Sequence, residues 1–175
     1  MTQYKHLFEP IKVGNKVIKN RVFMPPISTN LANKGYVTDE LVKHYGDRAK
    51  GGVGLIVSEV VTVEPVYVYL PGDMSIHDDS YMEGWKKVFD EVHKYGTVLL
   101  PQLFHPAYMA FPLPGTPQLI APSHVGPYYA KAAPRSVTKE EIKVLIKQFG
   151  DAAYRMKSVG GDGVEIHAAH AHGLL

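Results

Sequence analysis

The sequence contains no cysteine. Disulfides, thiolate metal sites and cysteine-ligated iron–sulfur clusters are therefore excluded within its 175 residues. Charge of one sign is not in excess either: 19 basic and 17 acidic residues are interspersed, for a net charge of +2. Without a basic stripe, no nucleic-acid partner is expected. No apolar run approaches the roughly 18–20 residues of a membrane span, so no membrane partner is expected. The opening MTQYKHLFEP lacks the apolar centre of a secretion signal. A cytoplasmic protein is the expectation. Solenoid-length repeats and low-complexity segments are also missing.

What is present suits one globular domain over residues 1–175, with 45% hydrophobic and 21% charged residues. Hydrophobic patterning predicts alternating strands and helices. Arg21–Ile27 reads as a short strand ending at two prolines. Asp39–Lys50 reads as a helix that Thr38 or Asp39 can cap, stopped by Gly51-Gly52. Val53–Val63 is β-branched and almost continuously apolar, as a strand covered on both faces should be. Ser80–Glu83 has the form of a capping box, and Trp85, Val88, Phe89 and Val92 then fall on one helix face that Gly96 ends. Thr97–Phe104 is a third strand. Thr138–Glu141 is a second capping box, followed by a helix whose apolar face is Ile142, Leu145, Ile146, Phe149, Ala153 and Met156. Asp162–His167 is a fourth strand.

The order β-α-β-α-β-α-β means a parallel sheet with helices outside, an α/β fold. In such folds the chemistry gathers at the C-terminal ends of the strands. Ser28 and Thr29, Glu59, Gln102 and His105, and His167 and His170 all fall there. The connection from His105 to Ser136 is long for a βα loop of about 2–6 residues, and it is rich in Pro and Tyr, including Tyr108, Tyr128 and Tyr129. A lid or pocket wall is one reading, an irregular extension the other.

The candidate residues carry more than one chemistry. His167, His170 and His172 have a spacing open to metal ligation, to hydrogen bonding or to strand capping. Alternation makes Glu165 face the same way as Gly163 and His167; general acid–base work is open to it, and a structural salt bridge inside a closed barrel is the expectation. Glu59 carries the same choice between acid–base and structural work. Gly51–Gly54 precedes a strand, whereas phosphate loops follow one, so it is read as a helix stop. Pro25-Pro26-Ile27-Ser28-Thr29 stiffens the chain and presents backbone amides at the rim, as a flat polar heterocycle requires.

Taken together, "HLFEPIKVGNKVIKNRVFMPPIST", "YVTDELVKHYGDRAKGGVGLIVSE", "PQLFH" and "DGVEIHAAHAHGLL" resemble the old yellow enzyme family, the flavin mononucleotide-dependent ene-reductases. The branch looks like the bacterial NADH:flavin oxidoreductases, with their 2,4-dienoyl-CoA reductase-like and bile-acid-type enoate reductases. The resemblance covers essentially the whole chain. It implies the N-terminal half of a (β/α)8 TIM barrel: four parallel strands with outer helices, strands five to eight absent, as a partial flavin-binding domain. It implies FMN as cofactor, NADH or NADPH as transient reductant, and a small molecule with an activated alkene as substrate. By position, Pro25, Ile27 and Ser28 line the flavin, Glu59 lies near it, and Gln102 bonds its pyrimidine edge. His167 and His170 hold an activating carbonyl oxygen, with His167 also beside the flavin. His172 stands where many members carry a tyrosine acid. No metal is implied. "HPAYMA" departs from the family's "HAGR", so an anion contact there is not expected.

Leu175 falls inside the last motif. A longer parent enzyme is therefore expected, with these 175 residues weak or inactive by themselves, since four strands leave open sheet edges at the first and fourth. Closure by a second copy or by another chain is the alternative. On residues alone, a non-catalytic half-barrel assembly module and a metal-dependent barrel hydrolase also remain open.

Overall fold

The computed structural model describes residues 4–111, 114–126, 133–170 and 173–175. A short hairpin, β1 (Ile11–Val13) and β2 (Lys16–Ile18), precedes β3 (Phe23–Met24). Then come α1 (Asp39–Lys50), β4 (Leu55–Thr62), β5 (Met74–Ser75), α2 (Met82–His93) and β6 (Val98–Phe104). β7 (Ile120–Ala121) and β8 (Arg135–Ser136) lie within the long connection, followed by α3 (Lys139–Ser158) and β9 (Glu165–Ile166). The main sheet runs β3-β4-β6-β9, all parallel, with β5 paired to the end of β4.

The first and third helices start where their sequences say they should. The Thr38 hydroxyl accepts from the Leu41 amide, and acidic residues in the first turn and basic ones in the last match the helix dipole. The capping box at Thr138 and Glu141 is formed in both directions. The box at Ser80 is not. Asp78 accepts from both the Ser80 amide and hydroxyl, caps a 3-10 turn over Asp79–Tyr81, and leaves α2 without a side-chain cap. The Ser80 hydroxyl donates to the Asp78 carboxylate and accepts nothing from the Glu83 amide, so the box stays open.

Two predicted strands are shorter than expected. Only Phe23 and Met24 of Arg21–Ile27 pair, because the two prolines that follow have no N–H to give the ladder. Of Asp162–His167, only Glu165 and Ile166 pair as strand, extended by the His167 amide to the Leu103 carbonyl. The β1–β2 hairpin, β5 and the β7–β8 pair are additions that the hydrophobic patterning does not predict.

The core lies between the convex face of the sheet and the helices. Ile56, Val61, Leu99 and Leu103 meet Leu41, Tyr45, Trp85, Phe89 and Met156, all buried. The third helix differs from expectation: Leu145, Ala152 and Met156 are buried, but Ile142 and Ile146 are exposed. With Phe149, Ile166 and Leu174 they line an open apolar groove of about 560 Å³.

The hairpin sits against the N-terminal ends of the strands. Lys19 donates to the Tyr95 carbonyl and Asn20 to the Gly52 carbonyl. Asp162 is the hub: it accepts from Lys16 at 2.7 Å, His93 at 2.8 Å and the Leu99 amide at 2.9 Å. Burial pushes its carboxyl up, but those hydrogen bonds outweigh burial and hold it below its ordinary value. Its stabilisation is therefore present above about pH 4 and lost as pH falls through the lowered value. Asp162→Ala is expected to cost about 2 kcal/mol in urea unfolding at pH 7, with the difference from wild type shrinking in acid. With that end closed by the hairpin, the C-terminal ends are the ones left to carry a site.

Candidate functional site

Four strand ends contribute. After β3, Pro25, Ile27 and Ser28 are exposed, Ile27 by 66%. Neither the Ile27 nor the Ser28 amide makes a hydrogen bond within the described residues. The loop holding them is anchored from beneath. The Glu59 carboxylate accepts from the Thr29 amide and, at 3.0 Å, from the Thr29 hydroxyl.

Glu59 itself is 1% exposed, and burial raises its carboxyl above the ordinary range despite those bonds. Of its two expected roles the bonds to Thr29 are structural: it is a strut under the loop that carries Ile27 and Ser28. The cause is a bulge in β4. Val57 pairs with Leu100 and Val60 with Gln102, so β4 spends one residue more than β6 and the alternation slips. Val60, in register with Gln102, shares its face, and Glu59 turns toward Thr29.

Gln102 is buried on the concave face. Its amide nitrogen donates to Glu165 at 2.6 Å. The salt bridge expected of Glu165 is replaced by this bond, since the β6–β9 register sets Gln102 directly opposite. His105 is 2% exposed, its Nδ1 accepts from the Ala107 amide, and burial lowers its pKa to about 4. It is a neutral, structural ring.

His167 and His170 do come together, edge to face with centroids 5.6 Å apart. His167 Nδ1 accepts from the Ala169 amide, a long bond at 3.4 Å, which puts the proton of a neutral ring on Nε2. His170 holds a left-handed backbone, φ 65°, a conformation that costs a non-glycine residue free energy. The tail is seated by Gly173, where a Cβ would collide with the His105 carbonyl oxygen. His172, Tyr128 and Tyr129 lie outside the described residues.

The donor set fits one side of a flat heterocycle: an apolar, proline-stiffened ledge with two unengaged amides, a buried carboxamide and a pair of imidazoles. Among the described residues no group of three His, Asp or Glu side chains has metal-holding geometry. Nor is any described helix long and apolar enough to cross a membrane.

Residues 6–175 match the model of the NADH:flavin oxidoreductase / NADH oxidase family. The chain belongs to that family. It is 39% identical to an NADH oxidase of Thermoanaerobacter brockii, over 98% of this chain and 27% of the relative. It is 36% identical to an NADPH dehydrogenase of Listeria welshimeri, over 95% of this chain and 49% of the relative. Among solved structures, morphinone reductase in complex with tetrahydroNAD superposes with a TM-score of 0.88 at 30% identity, over 95% of this chain and 50% of that one. A 2-naphthoyl-CoA reductase in complex with 2-naphthoyl-CoA gives 0.90 at 27% identity, over 98% and 28%. The chain thus spans half or less of these relatives, and its four parallel strands are the N-terminal half of an old yellow enzyme TIM barrel.

Within this flavin-oxidoreductase half-barrel, sequence reasoning missed three residues near the candidate groups. Val60 was hidden by the bulge. Phe104, two residues beyond Gln102 on the same face, has its ring 5.0 Å from His167, and strand alternation points to it. Tyr69, 5.5 Å from Phe104, arrives on the loop after β4 and carries no sequence signal.

Proposed function

We propose that residues 1–175 form one side of an FMN site in an NAD(P)H-dependent oxidoreductase that reduces an activated C=C bond. The observation that supports this reading is the His167–His170 pair at the end of β9, with His167 beside Phe104 of β6 and two residues beyond Glu165, the register partner of Gln102; the exposed Pro25–Ser28 ledge follows β3 at the other edge of the sheet.

In this reading the ledge gives the heterocycle a rigid apolar seat and two amide donors at Ile27 and Ser28. Gln102, oriented by Glu165, meets the polar edge of the ring. Reduced flavin, when bound, supplies a hydride to the β-carbon of the alkene. His167 and His170 hold the carbonyl oxygen where negative charge grows, an oxyanion-type role in which each preorganised donor contributes about 2–4 kcal/mol. A proton then reaches the α-carbon from a nearby acid, for which His172 is the candidate by position. The names of the relatives, NADH oxidase and NADPH dehydrogenase, support a nicotinamide electron donor for this chain as well.

Titrating the purified protein with FMN tests the reading. Uptake at micromolar concentrations, with bleaching of the yellow colour by NADH or NADPH under argon, is the expected result. A protein that stays colourless and quenches no flavin fluorescence contradicts it, and leaves the non-catalytic half-barrel as the better account.

A further inference from the structure

The ledge after β3 is bound to a second loop that none of the expected site residues belongs to. Leu70 and Asp73 close a turn on themselves: the Asp73 amide donates to the Leu70 carbonyl at 3.1 Å, and the Leu70 amide to the Asp73 carboxylate at 2.9 Å. Gly72, at the crown of this turn, meets the ledge twice. Its amide donates to the Asn30 side-chain oxygen at 2.8 Å, and its carbonyl accepts from the Ala32 amide at 2.9 Å. A Cβ on Gly72 would collide with both Asn30 Oδ1 and the Asn30 carbonyl oxygen, so only glycine allows the approach. Asn30 is itself held in the left-handed region, φ 59°, where asparagine is tolerated better than other side chains. Directly before it, Thr29 is pinned by Glu59, and the Ser28 hydroxyl faces Asp73.

We infer that Asn30 is a positioning residue, the latch that locks the Pro25–Ser28 ledge to the loop after β4 and thereby aims the Ile27 and Ser28 amides. The ledge has no ladder bonds of its own beyond Met24. Two rim loops must therefore hold each other, and Asn30 is the only side chain among the described residues that bridges the ledge to Gly72. The consequence for flavin rests on the function proposed above. The latch itself does not.

Three variants separate the two. Asn30→Gly keeps the backbone conformation and removes the bridge, Asn30→Asp keeps an acceptor, and Gly72→Ala forces the turn away. Amide hydrogen exchange of the flavin-free protein is expected to speed up about tenfold or more at both Thr29 and Gly72 in Asn30→Gly, with Asn30→Asp restoring protection and Gly72→Ala reproducing the loss. In protein that binds FMN, Asn30→Gly is expected to weaken binding about tenfold and shift the visible flavin band, while thermal unfolding changes little. Acceleration confined to Gly72, or none, overturns the latch. So does weakened FMN binding with Thr29 still protected. If the wild-type protein takes up no FMN, the functional reading fails and the exchange result alone decides the role of Asn30.

Discussion

In the enzyme proposed above, replacing both His167 and His170 with alanine is expected to leave flavin bound and to slow reduction of an activated alkene by about 10²–10³-fold or more. Each single replacement should lower kcat/KM by about 10²–10³-fold. The double variant should fall to the rate of the least active single or below it, because groups acting on one oxygen are not additive. The geometry behind this is specific. The rings meet edge to face at 5.6 Å, and the Ala169 amide biases the His167 proton toward Nε2. His170 is kept at φ 65° by a tail that Gly173 seats against His105. A left-handed histidine that did nothing would be an unrewarded strain. Flavin titration of the same variants is the control. If flavin affinity collapses with activity, the histidines hold the ring and not the carbonyl. If the double variant keeps turnover within about tenfold of wild type, their proposed role as charge-stabilising donors is wrong.

Much of this was legible in the sequence, and the reasons differ by element. α1 could be placed to the residue because its cap, charges and stop signal are all local. β4 and β6 could be placed because strands covered on both faces are almost continuously apolar, with Ser58, Glu59, Thr62 and Gln102 the exceptions. β5, β7 and β8 are two-residue pairings that exist only because distant segments meet, and no local pattern encodes them. At the site, the histidine pair followed from the family motif, but the orientation of Glu59 did not. One extra residue in β4, at Ser58-Glu59, reverses which side chain faces Gln102, and the shift exists only in the pairing with β6, which no local pattern encodes. Asn30 and Gly72 are 42 residues apart. Each reads as an ordinary turn former, and only their contact gives them a task. Ile142 and Ile146 show the opposite case: the helical pattern was right, yet that face of α3 is open in this half of the barrel.

Replacing Asp73 with asparagine is expected to stabilise the protein at alkaline pH. Asp73 is 4% exposed, and its Oδ1 has no hydrogen-bond partner among the described residues. Burial raises its carboxyl from 3.8 to about 7; the Leu70 amide and the Ser28 hydroxyl oppose this, and the Glu59 carboxylate adds to it. The folded state therefore holds a proton that the unfolded state has already released between about pH 4 and pH 7. Unfolded chains bind fewer protons there, so stability falls as pH rises across that window, by about 4 kcal/mol in total. The neutral carboxamide of the Asp73→Asn variant has no charge to bury and escapes this loss. Denaturant midpoints for wild type and Asp73→Asn should lie close together at pH 5 and separate by about 3 kcal/mol at pH 8 in favour of the variant. Other ionisable groups are common to both proteins and cancel in the difference. Parallel stability curves from pH 5 to 8 would mean that Asp73 ionises as an ordinary carboxyl, with solvent reaching it. The same carboxyl underlies the turn that carries Gly72, so a charge forming there at high pH loads the contact between the rim loops. The expected gain from Asp73→Asn is thus largest where the Pro25–Ser28 ledge of the wild-type protein is under most strain.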